Sequence, residues 1–145
     1  MIAVRKASLA DLTPLVKLSR RLHEQSDWAW VPFSPAALRK NLTSMMRKPD
    51  FCVLMAEKDG EPCGLLFGMV DQVIYGNTLY ATDLEFAAEA GGDELLDRFR
   101  DWAKQAGAKA IVMGVSNSGR EASKDRFFSK HGLTRTGGLY QEVFA

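Results

Sequence analysis

Asp83 and Glu85 stand two residues apart in the run Leu79–Phe86, which reads as a β-strand. Regular alternation puts both carboxylates on one face, with Tyr80, Thr82 and Leu84 on the other. A carboxylate partly buried beside a cleft has its pKa raised toward neutrality and can accept a proton from a nucleophile. The alternative is that both are residues of a solvated face. Just beyond them, Ala87-Ala88-Glu89-Ala90-Gly91-Gly92 bends into Asp93-Glu94-Leu95-Leu96. A strand that runs into glycines and opens a helix forms a cup of backbone N–H groups, which suits phosphate oxygens. A third group, Trp28, Trp30 and Phe33, crowds three rings into a connector that Pro32 keeps from being helical. These rings either cover an edge of the core or wall a ligand pocket.

Other chemistries find little support. His23 and His131 are isolated on predicted helices with no Cys or His partner nearby in sequence, so no metal site is expected. Cys52 and Cys63 lie in apolar runs without ligand spacing and read as buried free thiols in a reducing compartment. The net charge of +1 provides no electrostatic footprint for nucleic acid. No signal segment or long apolar span is seen, so a soluble, cytoplasmic protein that does not bind membranes is expected. With 145 residues and 46% hydrophobic content, residues 1–145 read as one domain. A chain of that size buries roughly 68–70% of its unfolded surface and needs no staple.

The elements that must position these groups follow from pattern. Ile2–Ala7 begins as a strand. Ser8 and Asp11 have the spacing of a helix-capping pair, and Leu12, Leu15, Val16, Ser19 and Leu22 give one face of a helix over Leu9–Gln25. Ser34-Pro35 starts a second helix, which ends before Pro49. Phe51–Ala56, Cys63–Val73 and Thr78–Phe86 are consecutive strands, the first pair joined at Asp59-Gly60, a strong hairpin signal. Gly64 and Gly68, inside the middle strand, mark a bulge or a close backbone approach. Leu95, Leu96, Phe99, Trp102, Ala103 and Ala106 share one face of a helix closed by Gly107. Ala108–Val115 is a buried strand. A helix capped at Ser118 runs to Lys130 or His131 and ends at Gly132; Arg120, Lys124 and Arg126 on it read as a solvated face or as a basic cluster for a phosphate. Leu133–Thr136 and Leu139–Phe144 read as short closing strands. The expected order is β-α-α-β-β-β-α-β-α-β(β), an α/β fold with a central, mostly antiparallel mixed sheet flanked by helices on both faces.

In this order the chain resembles the GCN5-related N-acetyltransferases (GNAT) over nearly its whole length. Val4-Arg5-Lys6-Ala7-Ser8-Leu9-Ala10-Asp11 is similar to that family's first strand and helix entry. Gly64-Leu65-Leu66-Phe67-Gly68 is similar to its third strand, and Phe127-Phe128-Ser129-Lys130-His131-Gly132-Leu133 to its late helix–turn–strand signature. The resemblance implies transfer of an acetyl group from acetyl-CoA to an amine, either a small molecule or a protein or peptide amine. The fourth strand would splay from the fifth, with the pantetheine arm in the gap along Leu84-Glu85-Phe86-Ala87. The pyrophosphate would rest on Ala90, Gly91, Gly92 and Asp93, and Asn117 would contact the arm. Phe128 falls where the family usually has a tyrosine that protonates the departing thiolate, and phenylalanine has no proton to give. Ala87 and Ala90 depart from the family's loop pattern while Gly92 keeps it, and Asp93 and Glu94 bring negative charge to the helix start.

Within that reading, Glu85 is the first candidate base because it lies closest to the splay, with Asp83 second. A strand N–H near Phe86 or Ala87 would hold the thioester oxygen. Trp28, Trp30 and Phe33 would wall the amine site, with Asp27 or Glu24 to draw a cationic amine. A homodimer is compatible with all of this. The alternative is a non-catalytic domain of the same fold that binds an acyl-CoA, a peptide or a partner protein.

Overall fold

The structure, a computed structural model, describes residues 1–114 and 121–144. Four long stretches of apolar sequence become one five-stranded sheet in the order β1 (Ile2–Lys6), β2 (Phe51–Lys58), β3 (Glu61–Gln72), β4 (Leu79–Ala88) and β5 (Ile111–Val112). The first four are antiparallel neighbours, and β5 joins β4 in parallel. Helices α1 (Leu12–His23) and α2 (Pro35–Met46) cover one face; α3 (Gly92–Gln105) and α4 (Glu121–Lys130) lie on the other. Two apolar clusters result. Leu15, Leu18, Leu42, Met55, Leu65 and Phe67 fill the α1–α2 side, and Leu54, Leu66, Phe86, Leu95, Leu96 and Phe99 fill the α3 side.

Local chemistry places most boundaries where the sequence does. Asp59 and Gly60 both adopt positive φ (52° and 83°), as the tight β2–β3 turn requires. Ser34 Oγ accepts the N–H of Ala37 at the start of α2, and Gly107 and Gly132 adopt positive φ after α3 and α4. The first helix covers its apolar stripe but is shorter than the expected Leu9–Gln25. It opens with a 3₁₀ turn, Leu9–Asp11, because Asp11 is pinned: its carboxylate accepts the N–H of Ser8 (2.8 Å) and both terminal nitrogens of Arg5 (2.7 and 2.9 Å). That forked contact holds the buried Asp11 carboxyl well below the usual range and ties the end of β1 to the first helix.

Three expected strands are revised. Of the described residues in the run Ala108–Val115, Ile111 and Val112 join the ladder. The closing segments Leu133–Thr136 and Leu139–Phe144 form no strand. Leu139, Tyr140, Val143 and Phe144 are exposed, and β5 spans only two residues among those described. The Ser118 cap falls outside the described residues.

Gly68 fulfils both sequence-level expectations for a strand glycine. The β3–β4 register slips beside it, and a Cβ there would collide with the Phe99 ring of α3. Gly68→Ala should therefore lower stability in urea by roughly 1–3 kcal/mol through overpacking. Gly76→Ala, where an added Cβ meets nothing, should stay within about 0.5 kcal/mol of wild type. Equal effects at the two sites would contradict the close α3–β3 contact.

Candidate active site

The site begins with hydrogen-bond directions along β4. Ala81 N–H points away from β3, donating to the Ala110 carbonyl (2.9 Å). Eight residues later Glu89 N–H points toward β3, donating to Cys63 (2.8 Å). Strict alternation would give residues 81 and 89 the same direction, so the strand must hold one extra residue. The register identifies it: Gly68 pairs with Asp83 and Phe67 with Glu85, leaving Leu84 unpaired as a bulge. Beyond the bulge, alternation turns the N–H and C=O of Phe86 outward, away from β3. The Phe86 carbonyl duly accepts the Lys124 ammonium from α4 at 3.3 Å.

On that outward edge the β4–β5 pairing stops early. Ala81 aligns with Ile111 and Thr82 with Val112, and no further pairs follow among the described residues. Side chains make the next bonds. Thr82 Oγ1 donates to the Val112 carbonyl (2.7 Å), and Asp83 Oδ1 accepts the N–H of Gly114 (2.9 Å). Among the described residues the ladder ends here, short of the outward groups of Phe86.

The bulge overturns the expectation that Asp83 and Glu85 share a face. A one-residue slip exchanges the faces of everything beyond it. Asp83 aligns with Gly68, on the α3 side. Glu85 aligns with Phe67, whose ring belongs to the α1–α2 cluster. Both are half-buried rather than solvated, and burial raises both carboxyls above the ordinary range. For Glu85 the nearby Asp83 charge adds to the rise and the Lys124 charge opposes it; for Asp83 the Gly114 N–H and Lys124 oppose it.

The bend after β4 is anchored at several points. Cys63 accepts the N–H of Glu89 and of Ala90 on its carbonyl and directs its thiol to the Ala90 carbonyl (3.3 Å). Gly91 is the N-cap of α3 with φ 87°, and a Cβ there would press on Ala56 and Ile2. Glycine is therefore required twice, for conformation and for space. No side chain caps the helix start. Of the three acidic residues at the cup, Glu89, Asp93 and Glu94, the first two are engaged elsewhere. Glu89 is held by Arg21 of α1 (2.7 and 3.2 Å), and Asp93 Oδ1 lies 2.7 Å from His131 Nε2. Both carboxyls are lowered by these contacts, so the Asp93 charge is drawn toward the end of α4.

The remaining sequence-level residues divide. Phe128 is buried against Phe86, while its neighbour Phe127 stands beside Gly92 and packs on His131 (4.6 Å between ring centres). Lys124 corrects the reading of a solvated basic face, since its ammonium turns inward to Phe86. Its orientation depends on the helix phase of α4, which sequence near Ser118 did not settle. Asn117 and Arg120 lie outside the described residues. Trp28 and Trp30 are half exposed with rings 6.2 Å apart, and Phe33 folds back on His23 (5.4 Å) and under Arg20 (5.0 Å). Sequence reasoning missed Gln141. With its amide oriented to satisfy both neighbours, it bridges the Asp27 carbonyl (3.2 Å) and the Trp30 indole N–H (3.0 Å). A shallow concavity along α2 contains none of these residues.

A mixed sheet whose fourth and fifth strands part beside a glycine-capped helix defines an acyltransferase type of fold. The family profile of the acetyltransferase (GNAT) domain matches residues 2–125, and the chain belongs to that family. Solved structures agree on the fold. Glucosamine-6-phosphate N-acetyltransferase from Arabidopsis thaliana superposes with a TM-score of 0.78 at 13% identity, covering 100% of this chain and 99% of its own. An aminoglycoside acetyltransferase from an uncultured soil metagenomic sample gives 0.74 at 15%, covering 100% and 99%. A GNAT family acetyltransferase from Staphylococcus aureus gives 0.68 at 20%, covering 98% of each chain. No curated protein sequence matches this chain.

The raised carboxyl of Glu85 has a consequence for stability. A carboxyl whose folded-state pKa is raised costs stability once pH climbs above its unfolded pKa, and costs nothing when both states are protonated. Glu85→Gln should therefore be more stable than wild type at neutral pH, by about 0.5–2 kcal/mol. The difference should vanish below the ordinary carboxylate range. Urea unfolding at both pH values checks this, and a variant less stable at neutral pH would contradict the raised pKa.

Proposed function

We propose that this protein is an N-acetyltransferase that moves an acetyl group from acetyl-CoA to an amine, and that residues 1–145 form one catalytic domain. Acyl transfer is the general chemistry of the family to which the chain belongs. The finer reading rests on one observation: the bulge at Leu84 turns the Phe86 N–H to the outward edge of β4, on the strand that runs into the uncapped start of α3. An N–H fixed by strand geometry needs no reorganisation to hold a thioester oxygen as it gains charge. The outward edge from Phe86 through Ala87 then suits the amides of a pantetheine arm. The N–H groups at Gly91, Gly92 and Asp93 suit a pyrophosphate, that of Ala90 being given to the Cys63 carbonyl, and the Asp93 and Glu89 carboxylates are engaged by His131 and Arg21.

Geometry divides the two carboxylates. Asp83 is occupied with Gly114 and keeps the strands apart, which makes it a positioning residue. Glu85 lies on the α1–α2 side and has no hydrogen-bond partner among the described residues. In this reading Glu85 takes the proton from the attacking amine, and its raised carboxyl brings its basicity closer to neutral pH. The same side carries the Trp28–Trp30 connector, which would wall the acceptor site and attract a cationic amine, with Phe33 buttressing it from below.

Calorimetry with acetyl-CoA and with desulfo-CoA tests the donor. Both should bind, and absence of binding at millimolar ligand would overturn the reading. Thiol release across a panel of amines tests turnover; for the amine used, Trp28→Ala or Trp30→Ala should raise KM by about 2- to 30-fold. Unchanged KM in both variants would remove the connector from the acceptor site.

A further inference from the structure

Acyl transfer from a thioester ends with a thiolate that needs a proton or a compensating cation. Neither aromatic residue of α4 beside β4 provides one: Phe127 and Phe128 carry no exchangeable proton, and Tyr140 is fully exposed. Asp83 and Glu85 carry the wrong charge for the purpose. One turn of α4 before Phe128, on the same helix face, stands Lys124. Its ammonium lies 3.3 Å from the Phe86 carbonyl and 5.7 Å from the centre of the Phe86 ring. In a strand, the N–H and C=O of one residue point to the same edge. The ammonium is therefore beside the very N–H that would hold the thioester oxygen.

We propose that Lys124 is a catalytic residue, whose ammonium faces the thioester sulfur and protonates it as it departs. This rests on the acetyl-CoA reading above. The amine nitrogen adds to the carbonyl carbon and a C–N bond forms. Collapse of the adduct breaks the C–S bond, and sulfur leaves with the electron pair and takes a proton from Lys124. The proton lost by the amine passes to Glu85 and on to solvent, and solvent reprotonates Lys124 before the next turnover. Among the described residues, Asp83 and Glu85 of β4 feel the Lys124 charge. On its own helix Asp125 is engaged by Arg135 (2.9 Å). Closer approach of a soft anion then competes with a carbonyl contact that, at 3.3 Å, is long for a charged donor.

The test is the thiol pKa of bound CoA, read from the ultraviolet absorbance of the thiolate against a desulfo-CoA blank. An adjacent ammonium should lower it by about 1–3 units relative to free CoA. Lys124→Arg keeps the cation and should keep the depression. Lys124→Met should return the pKa to that of free CoA while binding desulfo-CoA within about twofold of wild type. That last control separates a group acting on sulfur from one that merely shapes the cleft. An equal thiol pKa in wild type and Lys124→Met would overturn the assignment, as would loss of desulfo-CoA binding in that variant. If wild type binds neither CoA nor desulfo-CoA, the donor reading itself fails, and this inference with it.

Discussion

Two side chains end the β4–β5 ladder, and the candidate site depends on that interruption. Thr82 donates its hydroxyl to the Val112 carbonyl, and Asp83 accepts the Gly114 N–H. Continued pairing would have filled the outward edge of β4 with backbone partners. With side-chain atoms in those places, the edge of β4 beyond Asp83 has no ladder partner among the described residues. An exposed strand edge is ordinarily a liability for aggregation. Here the edge is covered by α4, whose Lys124 reaches the Phe86 carbonyl.

The bulge at Leu84 supplies the second half of the arrangement. It changes which residues look outward, and it sends Asp83 and Glu85 to different sides of the sheet. One carboxylate can then serve structure while its neighbour is free to face an acceptor. Gly68 permits this locally, because α3 packs so closely that Phe99 occupies the place of any side chain. The same helix begins at Gly91, so the packing that fixes Phe99 also fixes the helix start against β1 and β2. Sheet, bulge and helix terminus form one rigid unit beside the outward edge of β4.

Much of this architecture was legible in residues. The stripe from Leu95 to Ala103, the Asp59-Gly60 turn and the C-terminal glycines of α3 and α4 each carry a local physical rule, and each appears where the rule puts it. The glycines of β3 were legible as a class, a bulge or a close approach, though not as both together. What sequence did not contain was relation between strands. Alternation placed Asp83 and Glu85 on one face because a bulge is a property of two strands in register, invisible in either alone. Lys124 looked like one of three cations on a wet helix, since its direction depends on how α4 sits on β4. The run from Leu139 to Phe144 is rich in strand-forming residues but pairs with no edge among the described residues, so propensity without a partner produced a strand that does not form.

The central claim is that the outward N–H of Phe86 receives the thioester. Its most direct test follows backbone amides by NMR and hydrogen exchange while acetyl-CoA is titrated. Phe86 N–H should shift and become protected, more than that of Ala87, whose N–H alternation turns toward β3. Protection confined to the start of α3, with Phe86 unchanged at saturating acetyl-CoA, would contradict the account.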